Sequence, residues 1–494
     1  MSFLFVQPSI FHIRSFRVPS TKRRASGTSH GAHPNISFNS AHMSPNGTRP
    51  PSRAVPVPSP HTENQQLCAA PPHAGLSFSL KAFLSRLGPG LVTGASDDDP
   101  SGIGTYSQIG AQFGYGMLWT MVVSYPLMSA FQEICARIGR VTGHGIANNV
   151  RLRHPRLLYG IVTLVVLANV FNLGADIQAM DAALRLILPG PVGLYGSLLA
   201  ALSVTAQLLI PYNQYARYLK WLTLSLLAYV AAAFFVHISW PEVLQGTLAP
   251  HISLGKAYFL ALIAVLGTTI SPYLFFWQAS QEAEEVRTTR GEKALRRAPS
   301  QAFAQFNRIR TDTYFGMAFS NLIAFFIILT TAATLHEIGE NDIATAAQAA
   351  KALQPLAGRW AFFLFSAGIV GTGLLAVPVL AGSAAYGLGE AFRWNASLER
   401  KPADAKKFYG AIATCTAVGA ALNFTSLNPI KALFWAAVLN GIAAVPLMMV
   451  IMAMASSRKV MGTFVLPAYL KVLGWLATIV MSMVFAGLVL TWRA

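Results

Sequence analysis

Three consecutive carboxylates, Asp97, Asp98 and Asp99, stand directly before Pro100 in an otherwise apolar run, GPGLVTGASDDDPSGIG, from Gly88 to Gly104. A second run, GTTISPY from Gly267 to Tyr273, sets Thr268 and Ser271 beside Pro272. A helix interrupted at a proline frees backbone oxygens and amides that lipid cannot satisfy, so such a break faces protein or a polar site. Carboxylate, hydroxyl and unwound carbonyl oxygens together suit hard divalent cations such as Mg²⁺, Ca²⁺ or Mn²⁺. On this reading Asp99 at least is a cation ligand, and Thr268 and Ser271 offer hydroxyl and backbone oxygens from the second break. Asp is also a favoured cap for a half-helix starting near Pro100, but three in a row exceed what capping needs. Gly94, Gly102 and Gly104 add the backbone freedom an unwound segment requires.

Other polar groups fall within apolar stretches. Asn169, Asn172 and Asp176 are three and four residues apart, hence on one helical face. They would line an aqueous path or relay protons, or else form an interhelical hydrogen-bond cluster. Gln278, Gln281, Glu282, Glu284 and Glu285 close the sixth apolar stretch as an acidic exit funnel, or as a solvated helix end balancing a basic loop. Asn321, Thr372 and Asn440 read as isolated interhelical glue.

The elements that must position these groups are membrane helices. The chain has 494 residues, 53% hydrophobic and only 11% charged, against roughly 25% charged in soluble domains. Apolar runs of the ~20 residues needed to cross a bilayer recur throughout. Eleven spans are expected near 82–113, 116–136, 157–184, 193–211, 216–237, 256–285, 312–335, 359–388, 407–423, 430–454 and 467–491. Loops after even-numbered spans hold Arg137, Arg140, Arg151, Arg153 and Arg156, then Arg287 to Arg310, Arg393 to Lys407, and Arg458 with Lys459. Loops after odd-numbered spans lack such clusters, and the seventh is followed by Glu337, Glu340 and Asp342. The alternation puts the N-terminus in the cytoplasm and the C-terminus outside.

The two breaks lie five spans apart, so the second set of five starts from the opposite face. The expected fold is an all-α polytopic membrane protein of about eleven transmembrane helices. Its plan is a 5+5 inverted repeat (LeuT-like) with broken helices 1 and 6, the layout in which solute binds between repeats at the midplane. The transporter domain covers residues 79–494. Residues 1–78 carry seven basic residues against Glu63 and no span-length apolar run, and read as a disordered basic tail. The net charge of +18 sits in that tail and in short loops, which argues for the lipid bilayer as partner and against nucleic acid. Cys68, Cys135 and Cys415 are too scattered for a disulfide framework or zinc site.

Residues 80 to 490 resemble the natural resistance-associated macrophage protein family of divalent-metal transporters. The resemblance rests on Gly88-Pro89-Gly90 leading to Asp99-Pro100, on Arg137 followed by Val141-Thr142-Gly143, on Asp176, and on the proline-broken sixth span. It implies that Asp99 is a metal ligand, that Gly102 stands where the family has a ligating Asn, and that Ser271 stands at the ligating Met. It also implies a carbonyl ligand at Thr268, a proton-linked Asp at Asp176, and Gln278 and Ala179 where the family has His and Glu. Loss of the thioether weakens selection for softer metals, and loss of two titratable groups weakens the case for proton coupling. The implied activity is secondary transport of a divalent cation by alternating access, expected in a bacterial inner membrane, with the ion as cargo and no cofactor. Asp99 would supply the main charge, and Ser271 with the carbonyls near Ser96 and Thr268 would complete an oxygen site. The rival on the same architecture is a Na⁺-coupled transporter of amino acids or similar solutes. No paired His motif or intramembrane nucleophile with a base appears, so an enzyme is not expected, and the sequence leaves monomer and homo-oligomer open.

Overall fold

The computed structural model describes residues 94, 96–210, 214, 225–250 and 252–493. The expected tail over 1–78 and the first half of the first span lie outside the described residues. Among those described, every regular element is helical. In chain order the main helices are α1 (Pro100–Phe113), α2 (Trp119–Thr142), α3 (Ile146–Arg153), α4 (Pro155–Leu184), α5 (Leu194–Leu209), α6 (Leu227–Ala232) and α7 (Trp240–Leu248). They continue with α8 (Lys256–Thr269), α9 (Pro272–Thr288), α10 (Ala302–Thr331), α11 (Ala346–Lys351) and α12 (Ala361–Ala391). The last three are α13 (Lys406–Ala421), α14 (Pro429–Ala455) and α15 (Ala468–Arg493).

Among the described residues, six stretches are long and apolar enough to cross a membrane: Pro155–Leu184, Lys256–Thr288, Pro299–His336, Gln354–Ala391, Pro429–Ala455 and Ala468–Trp492. The other expected spans are shorter, more polar or only partly described. The α2 helix carries Glu133, Arg137 and Arg140, α5 and α13 have 16 residues each, and α6 is a six-residue piece of the fifth span.

Both expected interruptions are present. Helical backbone at Ser96 and Asp97 gives way to a bend at Asp98 and an extended Asp99, and α1 begins at Pro100. The second stretch breaks at Ile270 and Ser271, between α8 and α9. Two helix boundaries differ from the sequence expectation, for one reason. Hydropathy ends a span where charge begins, but α2 continues to Thr142 and α10 starts at Ala302, ahead of Arg308 and Arg310. Arg140 is therefore not a loop residue: it is buried on α2, where Glu282, Glu285 and Glu292 face it.

Packing brings the breaks to the centre. Helix α4 lies against α12, α13 and α14, α8 lies against α14 and α15, and α10 lies along α1 and α2. Glycines permit the closest crossings: a Cβ on Gly94 would lie 2.3 Å from the Gly316 carbonyl oxygen, and one on Gly267 would lie 2.2 Å from that of Ala437. Small residues at such crossings are how membrane helices approach without a hydrophobic drive between them. At one end of the bundle, the connection from α10 to α11 is strapped across α1 and α14. Gln108 of α1 donates to the Asn341 carbonyl at 3.2 Å and accepts from the Ile343 amide at 2.9 Å. Asn428 donates to the Ala344 carbonyl at 2.7 Å.

Candidate cation site

The first break places Asp99 at the N-cap of α1, where extended backbone turns its carboxylate back over the helix start. One oxygen, Oδ1, accepts from the Gly102 amide at 2.7 Å and the Ser101 hydroxyl at 2.6 Å. The other, Oδ2, accepts from the Asn172 amide of α4 at 3.0 Å and the Tyr273 hydroxyl of α9 at 3.2 Å. The same Tyr273 hydroxyl also reaches the Ser96 carbonyl at 3.0 Å. One phenol thus bridges the two breaks, engaging both oxygens expected from the first.

Asp97 and Asp98 turn the other way. The Ser320 hydroxyl of α10 lies 2.7 Å from Asp97 Oδ2 and 3.0 Å from Asp98 Oδ1, while Asp97 Oδ1 and Asp98 Oδ2 are buried without a hydrogen bond. Asp176 of α4 lies close enough to Asp99 for their charges to interact, and no side chain donates to it. All four carboxyl groups are buried, and among the described residues none forms an ion pair with Lys, Arg or His. Isolated buried carboxylates are among the least tolerable groups in a membrane interior. Because the aspartates fan apart, no three His, Cys, Asp or Glu side chains among the described residues converge as a chelating set. A cation here would rest on one or two carboxylates completed by carbonyls and hydroxyls.

The second break supplies those. Ser271 donates its hydroxyl back to the Gly267 and Thr268 carbonyls at 3.0 and 2.7 Å, so it ties down the unwound turn and keeps oxygen lone pairs for a cation. Thr268 faces α1: its Oγ1 lies 3.3 Å from where a Gly102 Cβ would be, with Tyr106 Cε2 at 3.3 Å and the Asp97 carbonyl oxygen at 3.4 Å. The backbone amide of Gly102 is committed to Asp99, and a side chain there would press on all three neighbours. Ser96, Asp99, Gly102, Thr268, Ser271 and Asp176 are thus gathered around the breaks opened by Pro100 and Pro272, and Gln278 is buried further along α9.

Three groups important to the geometry carried little sequence signal. Tyr273 is the residue after the break proline, and Ser320 sits in an ordinary apolar stretch. Tyr106 packs beside Gly102 one turn further along α1. On α4, Asn169 donates to the Leu380 carbonyl and the Ser383 hydroxyl of α12 at 3.1 and 3.3 Å, which is interhelical glue, whereas Asn172 reaches the site itself. Asn321 holds the Met121 carbonyl at 3.0 Å, as expected of glue.

The acidic end of α9 is neither funnel nor solvated cap. Glu282 pairs with Arg308 at 2.7 Å, and Glu284 is buried against the Tyr386 and Ser397 hydroxyls and accepts from the Glu399 amide at 2.9 Å. Only Glu285, 28% exposed at its side chain, meets solvent, and Arg308 faces it at 3.1 Å. The missed signal is that the arginines of the preceding and following helices are helical and turn inward.

Residues 90–491 match the Nramp family profile, described as natural resistance-associated macrophage protein-like. A divalent metal cation transporter MntH from Pectobacterium carotovorum is 29% identical over 61% of this chain and 71% of its own. Its counterpart from Yersinia enterocolitica is 30% identical over 64% of this chain and 74% of its own. Among solved structures, the Eremococcus coleocola manganese transporter has a TM-score of 0.63 at 18% identity, over 83% of this chain and 87% of that one. The fold is therefore that of an all-helical membrane transporter with two broken helices.

Proposed function

The chain belongs to the natural resistance-associated macrophage protein family, a membrane family without enzymes, and we propose that it carries a divalent metal cation across the membrane by alternating access. The observation that carries this reading is the set of four buried carboxyl groups at a paired helix break, none of them ion-paired among the described residues. A divalent ion held there satisfies Asp99 directly, takes carbonyl oxygens from Ser96 and Thr268, and gains a hydroxyl oxygen from Ser271. Asp176 strengthens the field on the ion from α4. The names of the MntH relatives and of the manganese transporter support the same class of cargo.

Tyr273 acts as a latch. Its hydroxyl holds Asp99 and Ser96 together, and an arriving cation would take those two oxygens in its place. The oxygen-only donor set, with Ser271 instead of a thioether, directs the site toward Mg²⁺ or Mn²⁺ rather than softer metals. An amino-acid carboxylate finds no welcome: the amide at the start of α1 that would receive it is spent on Asp99. The basic loops face the cytoplasm of a bacterial inner membrane, with the N-terminus on the same side and residues 79–494 forming the transport unit.

The test is flux through the purified full chain in proteoliposomes, comparing Mg²⁺ with Mn²⁺ in the presence and absence of a pH gradient. Wild type should move at least one of them and Asp99→Ala neither, with both proteins inserted alike. Unchanged flux in Asp99→Ala would remove the assignment.

A further inference from the structure

Away from the helix breaks, a cleft of about 290 Å³ opens where α3, the end of α9 and the end of α12 meet. Its charged lining is Arg151, Arg287, Arg393, His144 and Glu390, with Trp394 at its side. Among the described residues none of the three arginines forms an ion pair. Glu390 is spoken for: its carboxylate accepts from the Gly145 and Asn148 amides at 2.8 and 3.0 Å. Arg151 donates to the Glu390 carbonyl at 2.8 Å and to Asn148, and its Nε is buried with no acceptor. Arg287 donates only to the Gly143 carbonyl, at 3.0 Å. The backbone of Arg393 sits at φ 59°, a conformation rare for a side chain of this size.

The surplus positive field shows in His144, in the loop between α2 and α3. Burial, and after it the charges of Arg287, Arg151 and Arg297, hold its imidazole below the ordinary histidine range. A second hollow, lined by Arg393, Trp394, Lys406 and Lys407 together with Asp404, extends the basic surface. Aromatic rings lead outward from it. Trp394 stacks on Phe392 with centroids 5.5 Å apart, and Phe392 meets Tyr159 of α4 at 6.0 Å. Phe392 and Tyr159 are 51% and 58% exposed. Tyrosine and tryptophan collect where a protein crosses from hydrocarbon to headgroups, and these exposed rings give the cleft an apolar path beside its basic lining. An anion alone would need the arginines; an anion with acyl chains uses the rings as well.

We propose that this cleft is a binding site for the phosphate headgroup of an anionic phospholipid. Arg287 and Arg393 donate to its phosphate oxygens, and the Trp394–Phe392–Tyr159 row guides its chains along α4. Basic pockets between membrane helices recognise anionic lipids through the same charge-assisted bonds.

The experiment measures lipid affinity of the detergent-purified full chain by native mass spectrometry and by thermal shift, without any metal readout. The probes are phosphatidylglycerol, phosphatidylcholine and inorganic phosphate. Wild type should bind and be stabilised by phosphatidylglycerol alone. The double variant Arg287→Gln/Arg393→Gln should bind it about thirtyfold more weakly, the equivalent of about 2 kcal/mol shared between the two arginines. Arg458→Gln/Lys459→Gln, which removes equal charge from exposed positions outside the cleft, should bind like wild type. Equal loss in both double variants, or equal binding of phosphatidylcholine, would overturn the site. The same stabilisation by inorganic phosphate alone would overturn the lipid assignment. Circular dichroism of each variant shows whether the helices are retained, and an unfolded Arg287→Gln/Arg393→Gln protein is replaced by Arg393→Gln alone, for which a smaller loss in the same direction is required.

Discussion

Two charge clusters, one centred on buried Arg140 and Glu282 with a partly exposed rim and the other wholly buried, are built in opposite ways. Around α9 and its neighbours, Arg140 and Arg308 face Glu282, Glu285 and Glu292, and every one of these charges has an opposite within 4 Å. At the helix break, Asp97, Asp98, Asp99 and Asp176 have, among the described residues, hydroxyl and amide donors or nothing, and no cationic side chain as partner. Removing a charge from water costs several kcal/mol, roughly, unless a counter-charge offsets it. The first cluster meets that requirement internally and so belongs to the architecture. The second leaves it open, and that deficit of positive charge is the ground on which we propose it as the cation's site.

Substitutions break or sharpen that contrast. The largest effect is expected from Asp99→Ala, which should drop metal flux to background while leaving the protein's thermal unfolding near wild type, as read by flux and scanning fluorimetry on one preparation. Arg140→Met should do the reverse. It strips a buried partner from the paired cluster and should destabilise the protein by about 3–5 kcal/mol, while metal affinity in the surviving folded fraction stays near wild type by calorimetry. If Arg140→Met instead abolished binding and left stability alone, the two clusters would have to exchange roles.

Tyr273→Phe probes the latch. The hydroxyl bonds to a charged acceptor, a contact of roughly 1.5–3 kcal/mol, and a cation entering the wild-type site must displace it. Metal affinity should therefore rise, by roughly ten- to a hundredfold on the same contact energy; a fall would make the phenol a ligand in its own right. The smallest change is expected from Ser271→Met, which exchanges a hard donor for a soft one. Competition assays should show a severalfold shift from Mg²⁺ toward Mn²⁺, with total transport reduced rather than lost.

Much of this was legible in residues alone. The two breaks could be placed because proline beside polar groups in an apolar run has few other meanings at bilayer depth, and α1 does start at Pro100 and α9 at Pro272. The face shared by Asn172 and Asp176 followed from helical spacing. What stayed hidden depends on contacts between distant segments. Tyr273 looks like one more aromatic in an apolar helix until its hydroxyl is seen across the break from Asp99, and Ser320 is separated from Asp97 by more than two hundred residues. Hydropathy also misjudged α2 and α10, because a charge buried against its opposite reads locally as the end of a span. Arg140 and Glu282 each look solvent-seeking; only together are they interior residues.

The strap joining Asn341 and Ile343 to Gln108 has a mechanical corollary. Gln108 and Asp99 lie on one short rod, nine positions and about 13 Å apart at the rise of an α-helix. A load that tilts this rod at its charged end moves Gln108 against two hydrogen bonds and the Asn428 clasp beside them. If Asp99 takes a cation as proposed, the strap would register it with no relay other than the stiffness of a single helix.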